Sequence, residues 1–289
     1  MPEKIGIIIT RHMSTTESAM YWIYCIYAVR VHYPNIPIVV IDDNSAPEFL
    51  TPALKKEEDA LQKKNCRFIY SIYKKRGEFL PYYYYSMSNN EWFENALILH
   101  DSVFITRPLH NLDTVFEILV DQGFLFLWHF DTYMYEHEHD DVQLISHLNE
   151  GNDILQMIYN NSMRWSGCFG AMSFISYSFL SELSATYNLP VLLAHIQTRK
   201  NRMSFERLIG CTMIHAWYKK KKAGSYTGST ELTDFRYQKG CSYMGSIHTY
   251  CPWGIQFKTV VNQINLACFN PKEYLSNETM SFIKVWSGR

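Results

Sequence analysis

The chain has 289 residues, 47% hydrophobic and 19% charged, with 27 Lys and Arg against 28 Asp and Glu. Such a length buries a full core without disulfide staples and suits one large α/β unit or two smaller domains. A net charge of −1 excludes a general nucleic-acid binder, whose surface would be strongly basic.

Residues 4–10 (KIGIIIT) form a near-continuous β-branched run, the pattern of a strand buried on both faces. Ser14 and Glu17 have the spacing of a capping box and open a helix that runs to the turn at Pro34. Residues 38–41 (IVVI) read as a second strand, followed at once by Asp42-Asp43-Asn44-Ser45. Helical composition returns over 53–64, and 67–73 reads as a third strand. Gly77 leads a helix expected to reach about Glu94, and 96–99 (ALIL) is a fourth strand. This β-α-β-α-β-α-β order predicts an α/β fold with a doubly wound, mostly parallel sheet.

Residues 124–128 (FLFLW) read as a further buried strand. The stretch 131–163 then holds seven acids and no Lys or Arg. Its tract EHEHDD (136–141) reads as a solvated, mobile acidic loop, since blocks of like charge repel and stay exposed. A strand is expected over 169–175 and a helix over 178–187. Residues 199–222 reverse the charge, with eight bases against Glu206 alone. After Ala223 the chain is rich in Gly, Ser, Thr and Tyr, which predicts turns and short strands.

Doubly wound sheets bind ligands at the carboxyl ends of their strands. Those ends carry Thr10-Arg11-His12, Asp42-Asp43, Lys74 to Gly77, and His100-Asp101-Ser102. Four polar strand ends outline a site. No G-x-G-x-x-G or Walker loop follows the first strand, which excludes an ordinary dinucleotide or P-loop enzyme. An Asp at a strand end can accept from a base N–H or a ribose hydroxyl, although Asp and Asn also serve simply as turn residues. The high aromatic share, 16% with 21 Tyr, offers polar-tipped rings for stacking on sugars or bases.

KIGIIITRH, VVIDDNS and LILHDSVFI together resemble the first strand, base-binding turn and DxD strand of nucleotide-sugar glycosyltransferases of the GT-A fold. KKRGEFLPYYYY stands where that family places a Gly-led helix, and WSGCFGAM and FERLIG resemble its acceptor-side strand and catalytic helix. The whole is similar to enzymes that large algal viruses encode for glycan synthesis. The resemblance covers about residues 4–215 and implies a donor-binding half, 1–110, and an acceptor and catalytic half, 111–289, of one compact unit. It implies a UDP-sugar donor, a glycan acceptor and transfer of a hexose or pentose, such as xylose, with inversion.

The resemblance places Thr10, Arg11, His12, Asp42 and Asp43 around the nucleoside, with Arg76 and Gly77 near the diphosphate. His100, Asp101 and Ser102 would meet the ribose or a metal, and Trp165, Gly167, Cys168 and Phe169 the acceptor. The family's second DxD carboxylate is here Val103. Mg²⁺ or Mn²⁺ is still expected at Asp101 with His248, although His248 also reads as an exposed turn histidine; basic side chains such as Arg76 and the group over 199–222 are the other route to stabilising the leaving diphosphate. Inverting transfer needs a carboxylate to take the acceptor's proton. Glu206 is that candidate, with Asp131 in reserve; a surface ion pair with Arg202 or Arg207 is the plainer role for Glu206. The alternatives are a sugar nucleotidyltransferase, which would carry a Gly-rich loop after its first strand, and a catalytically weak nucleotide- or glycan-binding protein.

The longest early apolar run, 21–29, stops at Arg30, well short of the roughly 20 residues of a membrane span. The first residues lack the apolar stretch of a secretory leader. Seven cysteines, with no CxxC pair, suit reduced thiols in a cytoplasm, the host's if the chain is viral. Two glycosylation sequons, at Asn160 and Asn277, carry little weight without a leader.

Overall fold

A computed structural model of the chain describes residues 3–131, 138–161, 165–223, 241–250, 255–269 and 281–285. In chain order, β1 (Glu3–Arg11), α1 (Ser18–His32), β2 (Ile38–Asp42), α2 (Pro52–Gln62), β3 (Cys66–Tyr70), α3 (Leu80–Ser86) and β4 (Phe93–His100) form the first part. Next come β5 (Val103–Ile105), α4 (Leu112–Asp121), β6 (Phe124–Phe126), β7 (His129–Phe130), α5 (Glu138–Ser146) and α6 (Gly151–Ile154). β8 (Gly167–Cys168), β9 (Ser173–Ser176), α7 (Tyr177–Tyr187), α8 (Leu192–His195) and α9 (Arg199–Ala223) follow. α10 (Ile247–Tyr250), α11 (Phe257–Phe269) and β10 (Phe282–Lys284) complete the order.

Six strands make one sheet in the order β3-β2-β1-β4-β9-β6. β3, β2, β1 and β4 are mutually parallel, and β9 runs antiparallel between β4 and β6. The fold is mixed α/β with a mostly parallel central sheet. The opening β-branched run follows from burial on both faces. Ile7 and Ile9 pack on Trp22, Ile26 and Val29 of α1, while Ile8 packs with Phe79, Tyr82 and Ile209 on the opposite face.

Four local expectations need correction. α1 begins at Ser18, and Ser14 does not cap it: Thr15 Oγ1 accepts from Ser18 N at 3.0 Å, while Glu17 takes the Tyr21 hydroxyl at 2.5 Å. The helix after Gly77 stops at Ser86 because Asn89 and Asn90 turn left-handed (φ 51° and 59°) before β4. Glu138–Asp141 is the first turn of α5 and not a loop: Glu138 and His139 are exposed, as expected, while Asp141 is fully buried; Glu136 and His137 lie outside the described residues. Beyond Ala223, α11 is a 13-residue helix, where turns and short strands were expected. Val260 and Ile264, one turn apart on it, join the α1 side of the core. Both sequons fall partly or wholly outside the described residues.

Among the described residues, no helix is long and apolar enough to cross a membrane. Cys25, Cys66, Cys168, Cys211 and Cys241 are buried free thiols.

Candidate functional site

In register, Thr10 of β1 stands opposite Ile41 of β2 and His100 of β4, so three carboxyl ends finish level. The chain leaves β1 toward β2 on one side and returns as β4 on the other. Such a reversal of winding opens a crevice at the strand ends. Here it is a cleft of about 320 Å³, within the size range of small-molecule sites. Thr10, His12, Asp43, His100, Asp101 and Ser102 line its sheet side. α9 faces them with Arg199, Arg202, Met203 and Glu206, whose steps of three and four residues keep them on one helix face.

α9 comes this close to the sheet layer because Gly210 has no side chain. A Cβ there would stand 2.7 Å from the Ser166 carbonyl oxygen. Gly77 opens the turn Gly77–Phe79 in left-handed backbone, φ +43°, with Arg202 packed against it. The Asp43 carboxylate holds that turn by accepting from Gly77 N at 3.0 Å and Arg76 N at 3.2 Å. Burial pushes the Asp43 pKa up to about 6, against the pull of those two N–H groups, His12 and Arg202.

Glu206 is shifted further. Burial pushes its pKa up to about 8, and the neighbouring Glu78 adds to the rise. The Gly170 N–H, Arg207 and Lys284 pull the other way. Gly170 sits at φ +61°, where a Cβ would meet Met172 at 2.8 Å and His100 at 3.0 Å. Arg207 is braced from behind by Asp141, Nε to Oδ2 3.5 Å, and its Nη1 donates to the Met203 carbonyl. Thr10 Oγ1 is buried in the cleft wall with no hydrogen-bond partner among the described residues. A buried hydroxyl of this kind calls for an outside acceptor or donor.

The cleft therefore brings together Thr10, His12, Asp43, Gly77, His100, Asp101, Ser102, Phe169, Glu206 and His248. It leaves out the rest of the expected set. Arg11 is wholly buried, its Nε bound to Asp42 Oδ2 at 2.6 Å and its Nη1 to Glu58. Asp42 spends its remaining capacity on Ser45, accepting from its N and Oγ. Neither lines the cleft, because side chains alternate along a strand and these two point away from it. Arg76 gives Nε and Nη2 to the Leu193 carbonyl and so fastens the turn before α3 to α8. Trp165 stacks on Tyr159 and donates to its carbonyl, and Cys168 donates to the Met172 carbonyl; both are fully buried. Gly167 packs under Phe130, and Asp131 follows β7 without lining the cleft.

Sequence reasoning took Arg199 and Arg202 only as members of a basic group or as an ion-pair partner, and it missed Glu78, Gly170 and Lys284. The three- and four-residue spacing around Glu206 could have placed Arg199 and Arg202 on its helix face. Lys284 carries no such signal, since it arrives from the far end of the chain. β10 pairs antiparallel with β5, setting Lys284 opposite Val103, and Lys284 Nζ donates to Ser102 Oγ at 3.0 Å.

That arrangement bears on the expected metal. A divalent ion takes about six oxygen ligands, usually including one or two carboxylates. Among the described residues no group of three or more His, Cys, Asp and Glu side chains is placed to hold one. Asp101 is followed by Ser102, already bonded to an ammonium, and by the buried Val103. His248 stands exposed at the rim. The donor set among the described residues does not fit a resident divalent cation.

No protein-family model and no curated protein matches the chain. Solved structures with a similar course include residues 1–349 of TarS from S. aureus, at 10% identity and a TM-score of 0.40, covering 72% of this chain and 56% of that one. The same TarS fragment is also known in complex with UDP and with UDP-GlcNAc. Core-mannan synthase A (CmsA/Ktr4) from Aspergillus fumigatus, in an Mn/GDP form, gives 12% and 0.39, covering 74% and 68%. The galactosyltransferase LgtC with donor and acceptor sugar analogues gives 12% and 0.39, covering 71% and 70%. The chain thus spans little more than half of the TarS fragment. At TM-scores near 0.4, nucleotide, sugar and mechanism have to be read from the cleft itself.

Proposed function

We propose that the chain is a glycosyltransferase that moves a hexose or pentose from a UDP-sugar to a glycan hydroxyl with inversion. The observation that carries this reading is Glu206, an acid facing polar strand ends across a small-molecule cleft, with its pKa near 8. In this reading Thr10, His12 and Asp43 hold the nucleoside, and His100, Asp101 and Ser102 meet the ribose and diphosphate. Residues 1–110 supply most donor contacts. Residues 111–289 supply the acceptor side, where Phe169 offers a ring for the acceptor sugar.

The acceptor oxygen attacks the anomeric carbon as the bond from that carbon to the β-phosphate oxygen breaks. The electron pair leaves with UDP, and the acceptor's proton passes to Glu206. A carboxylate with a raised pKa is the stronger base for that step, provided it is ionised at working pH. Asp131, outside the cleft, takes no part.

Calorimetry with UDP and a transfer assay on Glu206→Gln test the reading. The variant is expected to bind UDP as the wild type does and to lose about 10²–10⁴ in rate, the usual worth of a general base. Near-normal turnover in the variant, or a wild-type protein that binds no UDP, overturns it.

A further inference from the structure

A breaking sugar–phosphate bond leaves negative charge on the β-phosphate, and some fixed positive group must meet it there. Among the described residues that line the cleft, Lys284 is such a group on the sheet side and not on α9. Lys284 is 8% exposed, lines the cleft, and gives Nζ to Ser102 Oγ, one residue beyond Asp101. Its position is set by backbone. Val285 N donates to Ser102 O at 2.9 Å, Thr106 N donates to Ser281 O at 2.9 Å, and Lys284 itself pairs with Val103. Phe282, Ile283 and Val285 on either side are buried. An ammonium fixed in this way needs no reorganisation when charge develops in front of it.

Position is the telling feature. Lys284 is registered against Val103, a buried apolar residue two positions beyond Asp101. A carboxylate there would attract a divalent ion, whereas an ammonium repels one. Lys284 and Glu206 both line the cleft.

We propose that Lys284 takes the place of the divalent ion and neutralises the departing diphosphate, making donor binding and transfer independent of metal. This rests on the nucleotide-sugar reading given above. As the anomeric carbon–oxygen bond breaks, its electron pair goes to the β-phosphate oxygen, which accepts a hydrogen bond from Lys284 Nζ. The ammonium keeps its protons, and the acceptor's proton goes to Glu206, so charge and atoms balance without a metal.

UDP is titrated into the full chain in EDTA, then with Mg²⁺ or Mn²⁺ added, and the titration is repeated with Lys284→Met and Lys284→Arg. The wild type is expected to bind UDP in EDTA with an affinity that added metal changes less than about twofold. Lys284→Met is expected to bind UDP at least about tenfold more weakly, the scale of a lost charge-assisted hydrogen bond, and Lys284→Arg to recover part of that loss. Binding that appears only with metal, or Lys284→Met binding UDP like the wild type, overturns the role of Lys284 and leaves the donor reading standing. No UDP binding under any condition overturns the donor reading, and the Lys284 role falls with it. The metal arm uses the wild type alone, so it decides the matter even if Lys284→Met does not fold.

Discussion

Asp42 and Asp43 are neighbours in sequence with opposite roles. Asp42 turns into the protein and forms a closed network with Arg11, Ser45 and, through Arg11, Glu58. Glu58 also accepts from Tyr70 and Lys55, and Arg11 lies over the rings of Trp22, Phe68 and Tyr70. Asp43 turns into the cleft, where its partners are backbone N–H groups and its pKa stands near 6. The first set of charges is paired inside the protein, although Arg11 Nη2 has no hydrogen-bond partner among the described residues, and it holds β1, β2 and α2 together. The cleft set (Asp43, Glu206, Lys284 and a Thr10 hydroxyl without a partner among the described residues) is assembled by packing from both ends of the chain. One residue of offset along a strand decides which set a side chain joins.

The largest expected effect falls on the closed network. Arg11→Met leaves Asp42 and Glu58 buried without their guanidinium, and breaking a buried ion pair in this way costs about 3–5 kcal/mol. Urea unfolding should show the loss, and a midpoint like that of the wild type would mean the network contributes nothing to the fold.

Gly210→Ala strikes the cleft wall instead. The new Cβ would meet the Ser166 carbonyl, and overpacking of this kind costs about 1–3 kcal/mol. Because α9 must back away with Glu206 on it, turnover should fall more than UDP affinity does. Unchanged stability and turnover would show that α9 need not sit so near.

The comparison itself is sharpened by the paired variants Asp42→Asn and Asp43→Asn. Asp43→Asn should weaken UDP binding roughly tenfold. Asp42→Asn should lower stability and leave UDP affinity within about twofold, since Asp42 does not line the cleft. Equal losses of affinity in the two calorimetric titrations would erase the distinction between the sets.

Stability is also expected to change with pH. The folded-state pKa of Glu206, about 8, lies above its ordinary 4.5, so the folded chain holds that proton more tightly. The cost of ionising it is absent below about 4.5, grows as pH rises, and is complete above about 8. Glu206→Gln removes that cost, so its gain in Tm should be larger at about pH 9 than at about pH 5. A gain independent of pH would place the carboxyl in water.

The parallel half of the fold was legible because each of its strands is either β-branched or followed by turn residues. Residues 4–10 and IVVI could pack only in a sheet covered on both faces. The strand-end cluster was legible for the same reason, since parallel sheets present their carboxyl ends together. Arg11 was misplaced because residue type does not reveal a buried partner 47 positions away, and Glu58 lies on a helix of otherwise ordinary surface composition. Trp165, Gly167 and Cys168 fit an acceptor motif in sequence yet pack behind the cleft wall. Lys284 was invisible: FIKV is an ordinary short strand until its register with β5 is known. The acidic tract misled because charge density predicts exposure, whereas Asp141 is neutralised by Arg207 and bonded by Tyr159.

The pH profile of kcat/KM tests the central claim, Glu206 as the base, most directly. The base works only when ionised, so wild-type transfer should rise with pH along a limb centred near 8, and the residual rate of Glu206→Gln should lack that limb. A limb that survives unchanged in the variant, or a wild-type rate already flat by about pH 6, would assign the proton to another group.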